Sequence, residues 1–156
     1  MTGQRSPKSL QRDAADLYDA STVFIRIYQF RDRNQALRFG LTVVQAYALD
    51  ILVFADGQRL TQLAAALRLD KSTTSRIVAG MKRRGLVKLS RPGSDGRAMW
   101  IAASTEGKRR YARLRGAIIR EQARLLASYT AAERRAAIKI LRQLAARALS
   151  SKRVRP

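Results

Sequence analysis

Two short stretches of this chain gather the polar side chains that could act on another molecule. DKSTTSR, residues 70–76, sets four hydroxyls and two cations within seven positions, and SRPGSDGRAMW, residues 90–100, places Pro92, Gly93 and Gly96 between Arg91 and Arg97. Their chemistry is hydrogen bonding to an anionic surface, because short hydroxyls approach closely and a guanidinium donates two parallel bonds to a phosphate or to guanine. The means for covalent work are absent. There is no Cys and no His, which removes a thiol nucleophile, the usual zinc sites and the usual near-neutral proton carrier. None of the eleven acids falls in a tight pair or a Gly-rich setting that would suggest acid/base work. The expectation is a protein that is not an enzyme and uses no cofactor and no metal.

Charge narrows the class of partner. The 156 residues hold 32 Lys and Arg against 11 Asp and Glu, a formal charge of +21 with a pI near 11.7. Nucleic acid, an anionic membrane and an acidic protein would each gain from meeting such a surface. The length suits one domain that buries roughly 70% of its unfolded surface. No run of 18 apolar residues and no basic leader with an apolar block is present, so the reading is a cytoplasmic, nucleoid-associated protein with no membrane partner.

The elements that must position the two stretches are mostly helical. Residues 1–9 read as a flexible basic end. Leu10, Ala14, Leu17, Ser21, Phe24 and Tyr28 then recur at steps of three and four, one stripe of a helix reaching about Asp32 and roughly 35 Å long. Thr42-Val43-Val44-Gln45 is a capping box opening a helix over about 43–55, which stops at the turn signal Asp56-Gly57. Thr61 is expected to cap a short third helix with Leu63, Ala64 and Leu67 on one side. Arg68-Leu69-Asp70 is a tight link, and Asp70 can cap a fourth helix over about 71–84.

The fourth helix has two faces. At 100° per residue Thr74, Ile77, Val78 and Met81 cluster on one side, with Ser72, Arg76, Ala79 and Arg83 opposite and Thr73 and Ser75 flanking. Gly85 supplies a left-handed stop that Leu86 covers. Residues 86–91 and 98–103 read as two strands joined by the Gly-rich loop, with Trp100 at the base of the hairpin. Ser104 caps the next helix, with Leu114, Ile118, Leu125 and Leu126 among its apolar positions. Thr130 to Glu133 is a second capping box, before a last helix carrying Ile138, Leu141, Ala145 and Ala148 on one seam.

Two helices joined by three residues, then a hairpin, make a winged helix-turn-helix, a fold suited to duplex DNA. The major groove, about 12 Å wide, admits one helix whose first turn must be narrow; Ser72, Thr73 and Ser75 satisfy that, and Arg76 can bridge two acceptors of guanine. The helix start also favours a phosphate. Lys82, Arg83, Arg84 and Lys88 read as phosphate contacts that fix register. The loop can hold Arg97 toward the narrower minor groove, with Arg91 and Ser94 as further wing contacts and Asp95 structural, orienting Arg97 or the loop amides.

The stretch from Leu41 to Arg109 closely resembles the multiple-antibiotic-resistance regulator (MarR) family of bacterial transcription factors. The resemblance rests on the LA…L…DKSTTSR segment, the Gly85-Leu86-Val87 entry to the wing, Asp95-x-Arg97-Ala98 at its tip, and Ser104-x-x-Gly107 opening the following helix. It implies a homodimer that places Ser72, Thr73, Ser75 and Arg76 in the major groove and Arg97 in the minor groove. It also implies release by a small aromatic or other organic effector. Thr74 stands where valine is usual, Ala103-Ser104 where Leu-Thr is usual, and Gly96 where a charged residue is common, so the tip relies on one arginine. The fold class implied is mainly α with a small β-hairpin wing, flanked by N- and C-terminal dimerisation helices.

Within a single domain over 10–150, residues 10–40 and 104–150 would form the dimerisation helices and 41–103 the winged part, leaving 151–156 as a basic tail. The stripe on the first helix supports this, because a winged part of about 60 residues offers too little surface to cover it and a second copy would. Tyr18, Phe24, Tyr28, Phe39 and Tyr47 could line an effector pocket, but each reads first as core or dimer seam. The functional expectation is a sequence-specific regulator of transcription, a repressor, on a pseudo-palindromic operator. The alternative is a nucleoid- or RNA-associated basic protein with little sequence choice.

Overall fold

The computed structural model describes residues 7–91 and 99–151, which divide into two compact units meeting between Gly116 and Ala117. The first unit opens with α1, Pro7–Arg38, a helix of 32 residues. It outruns the expected 10–32 at both ends. Pro is tolerated at a first helical position, and no Gly or Pro interrupts the chain until Gly40. There the Gly40 and Leu41 amides donate to Leu37 and Ala36, closing the last turn.

Helix α2, Val43–Phe54, starts on the expected box: the Gln45 amide donates to Thr42 Oγ1 at 3.2 Å and the Thr42 amide to Gln45 Oε1 at 3.1 Å. Its Ala48, Leu49 and Leu52 are buried, and with Leu41, Leu63, Met81, Leu86 and Ile101 they form the core. After Asp56-Gly57 comes β1, Gln58–Arg59, a strand that local pattern does not announce because only pairing with a later strand defines it. That pairing holds Arg59 extended, so α3, Leu60–Leu67, begins immediately. Thr61 therefore lies inside the helix and is not its cap. Gln62 does the capping, accepting from the Arg59 amide at 2.9 Å.

Arg68 takes a left-handed turn, and Asp70 caps α4, Lys71–Arg83. Thr74, Val78 and Met81 of α4 are buried, as the two-faced pattern requires, with Ile77 only half-buried. Gly85 follows at φ +67°, a conformation that a Cβ disfavours. The Gly85 and Leu86 amides donate to Lys82 and Met81, and Leu86 closes over the turn. Strands β2, Val87–Ser90, and β3, Trp100–Ala103, pair antiparallel with Leu89 opposite Ile101, and β1 joins on the far side of β3. β2 starts one residue later than expected because Leu86 is spent on the helix end. Trp100 pairs with Ser90 and Arg59 away from the hairpin base, with its indole against Gly57.

Helix α5, Thr105–Leu126, begins where the wing returns to the core. Ser104 is its cap: the Gly107 amide donates to Ser104 Oγ at 2.9 Å, and that hydroxyl donates to the Gly85 carbonyl at 2.5 Å. The Ser104 amide donates to the Leu86 carbonyl at 3.0 Å. Tyr111 and Leu114 are buried, and the Tyr111 hydroxyl donates to Asp50 of α2. Burial and that bond raise the Tyr111 pKa, so the donor keeps its proton.

The second unit holds the rest of α5 and α6, Ala131–Ser151. The Glu133 amide donates to Thr130 Oγ1 at 3.3 Å and the Thr130 amide to Glu133 Oε2 at 2.8 Å, the expected box. Ile138, Ile140, Leu141, Leu144 and Leu149 of α6 are exposed.

A Cβ on Gly107 would stand 2.1 Å from the Leu86 carbonyl oxygen and 3.0 Å from Leu49 Cδ2. Backbone cannot yield cheaply there, so Gly107→Ala is expected to cost about 2 kcal/mol or more. Chemical denaturation followed by circular dichroism measures it; an unchanged midpoint would show that α5 can move off Leu86.

Candidate nucleic-acid interface

The exposed face of α4 is built from its first turn. The Ser72 hydroxyl donates to Asp70 Oδ1 at 2.5 Å and the Thr73 amide to the same oxygen at 2.7 Å. These two bonds hold the Asp70 carboxyl far below the usual carboxylate range, so it stays charged at any ordinary pH. The Thr74 hydroxyl and amide both donate to the Asp70 carbonyl, at 2.9 and 3.0 Å, which draws that side chain into the core. One amide that a bare helix start would offer to a phosphate, that of Thr73, is thus already engaged by Asp70.

Beyond the cap, Ser72, Ser75 and Arg76 are exposed and Thr73 is half-buried. Arg76 Nη2 donates to Thr73 Oγ1 at 3.3 Å, leaving the rest of its fork open. Ser72, Thr73 and Arg76 are therefore brought together on one hydrogen-bonded surface around Asp70. Ala79 and Arg83 continue it toward the C-terminal end, both exposed.

Between α4 and the strands runs an open groove of about 480 Å³ lined by Leu60, Ser75, Val78, Ala79, Lys82, Arg83, Leu89 and Met99. Its floor is apolar and its rim cationic. The strand pattern alone does not reveal it, because Leu60 and Met99 enter only when β1 and β3 pair. Lys88 and Arg91 stand exposed on and just beyond β2.

Arg84 is placed differently from the other cations. Nη1 donates to Gln45 Oε1 at 2.7 Å and Nη2 donates to the Gly40 carbonyl, so the guanidinium ties the end of α4 to the turn between α1 and α2. No sequence spacing signals this bond, which spans 39 positions to Gln45 and 44 to Gly40. Ser94, Asp95 and Arg97 lie outside the described residues. Among the described residues no group of three or more potential metal ligands is found, and no single helix is long and apolar enough to cross a membrane.

Residues 39–98 match the model of the MarR family. No curated protein matches the chain. Among solved structures, a MarR family protein from Bacillus stearothermophilus is 24% identical at a TM-score of 0.83, over 89% of this chain and 97% of that one. A MarR transcriptional regulator from Methanosarcina mazei Go1 is 21% identical at 0.75, over 87% and 98%. Both likenesses carry the fold, mainly α with a small antiparallel wing. The PcaV transcriptional regulator from Streptomyces coelicolor, solved in complex with its natural ligand, is 27% identical at 0.59, over 80% and 91%. Residues 39–98 are thus similar to the MarR family, and the chain shares the winged helix-turn-helix fold of the solved MarR structures.

Proposed function

We propose that the protein is a homodimeric regulator of transcription that reads a pseudo-palindromic operator and represses until a small organic effector releases it. The observation that carries this reading is the exposed face of α4. A narrow first turn of Ser72, Thr73 and Ser75, capped by the Asp70 carboxylate, leaves Arg76 exposed with most of its fork open, which is what donation to a guanine edge needs. Lys82, Arg83, Lys88 and Arg91 supply the cations that would meet phosphates, and Arg97 is assigned to the minor groove at the wing. Arg84 would add a phosphate contact only through the donors left free by Gln45 and Gly40.

Dimerisation is supported by the exposed apolar stripe on α1, where Leu10, Leu17 and Phe24 keep 62, 50 and 47% of their surface open. Lone apolar side chains on a surface are ordinary, but a row at helical spacing calls for a cover. A second copy meets that need and matches a two-fold operator with half-sites about 34 Å apart. The effector reading rests on the ligand named for the Streptomyces coelicolor regulator.

The operator is to be found by selecting bound fragments from the host genome, then challenged with excess random duplex. Retention of selected fragments supports the regulator; displacement as easy as from random duplex favours the nucleoid-type alternative that a charge of +21 also fits. Arg76→Ala is expected to lose about 1 to 3 kcal/mol on the operator and to relax preference in the major-groove half-site. Arg97→Ala should relax preference for A·T at the wing contact, and unchanged affinity and preference in both variants would remove these assignments. Operator affinity should fall roughly a thousandfold or more between 50 and 200 mM salt if six or more phosphates are neutralised, and a flat salt curve would contradict the electrostatics. Replacing Leu17 and Phe24 together by Glu should give monomers in sedimentation with weakened operator binding; a dimer of unchanged stability would place the seam elsewhere.

A further inference from the structure

Away from the exposed face of α4, the end of α1 and the start of α5 form a second cationic concavity. It measures about 380 Å³ and is lined by Arg38, Phe39, Gly40, Glu106, Arg109, Arg110 and Arg113. Arg84 approaches the same turn, since Arg110 Nη1 and Arg84 Nη2 both lie within 3.7 Å of the position a Gly40 Cβ would take. Four arginines and one carboxylate thus line the hollow, with Arg84 beside its Gly40 edge. Glu106 is saturated: Arg109 donates to Oε2 at 2.5 and 2.9 Å and Arg110 to Oε1 at 2.9 and 3.2 Å. Arg113 lies over the Phe39 ring at 5.8 Å, and Arg38 is exposed.

Like charges gathered in a hollow repel one another, and the repulsion is relieved when an anion enters. The shape of the donors narrows which anion. Four guanidinium groups, from the end of α1 and two turns of α5, line the one hollow, and a phosphate, with several oxygens and up to two charges, can take more of these donors than a carboxylate can.

We infer that this hollow is a phosphate-binding site in which Arg38 and Arg113 are the principal donors, Arg109 and Arg110 being partly engaged by Glu106. The phosphate belongs either to a free phosphorylated molecule or to the backbone of a duplex reaching past the C-terminal end of α4. The first source stands whether or not α4 reads DNA; the second rests on the function proposed above.

Full-length protein should be titrated with inorganic phosphate at ionic strength held constant with chloride, reading calorimetric affinity and thermal midpoint. Arg38→Gln with Arg113→Gln is expected to weaken phosphate at least tenfold while keeping the helical spectrum, since both side chains are exposed. A charge-matched variant, Arg142→Gln with Arg147→Gln on α6, should bind as the parent does. Equal phosphate affinity in all three proteins, or none in the parent, overturns the inference and leaves the reading of Arg76 untouched.

A second arm separates the sources. If the phosphate is that of DNA, lengthening the operator by flanking duplex should strengthen binding by the parent and steepen its log affinity against log salt by about two, but not for the Arg38, Arg113 variant. If flanks change nothing while inorganic phosphate still discriminates the variants, the ligand is a free phosphorylated molecule.

Discussion

The root of the wing is the contact on which the rest of the first unit depends. Within four residues the chain leaves β3, turns and starts α5, and it does so against the carbonyls of Gly85 and Leu86, where α4 has just ended. Ser104 bonds to both carbonyls and caps α5, and Gly107 lets that helix pass at backbone contact. One small region therefore fixes three directions: the exit of α4, the plane of the strands and the departure of α5. A side chain at 107 or a non-polar one at 104 would disturb all three, which is why such small residues sit among large apolar neighbours.

Most of this architecture was legible from the chain because its signals are local. Thr42 with Gln45, Asp70, Gly85, Ser104 and Thr130 with Glu133 each mark an element boundary within four residues, and each is found at that boundary. What escaped was set by distant partners. Strand β1 exists because Gln58 and Arg59 meet Ile101 and Trp100 more than forty positions away, and it moved the start of α3 from Thr61 to the residue after Arg59. The face of α4 was readable as a face, whereas the bond of Ser72 to Asp70 and that of Arg84 to Gly40 depend on rotamers and tertiary approach that spacing does not encode. The roles of Ser94, Asp95 and Arg97 rest on sequence alone.

The excess of cations takes on a clearer meaning when the acids are followed individually. Asp70 caps a helix, Glu133 caps another, Asp50 accepts from Tyr111, and Glu106 holds two arginines. Asp56 meets Lys108 at 3.6 Å and Asp32 meets Arg31 at 3.2 Å. These six acids are engaged in caps and local pairs, and eleven acids in all stand against 32 cations. The positive field is thus a property of the outer face, screened over about 10 Å at ordinary salt, and it draws polyanions near before any particular contact forms.

The two bonds of Arg84 make α4 a shaft with both ends fastened. Asp70 holds the front turn, while Arg84 fastens the rear to the loop that joins α1 to α2. A shaft so fixed does not roll about its own axis independently of that loop. A shift of the loop at Gly40 that carried Arg84 with it would act on the first turn through a lever of 13 residues, about 20 Å at 1.5 Å per residue.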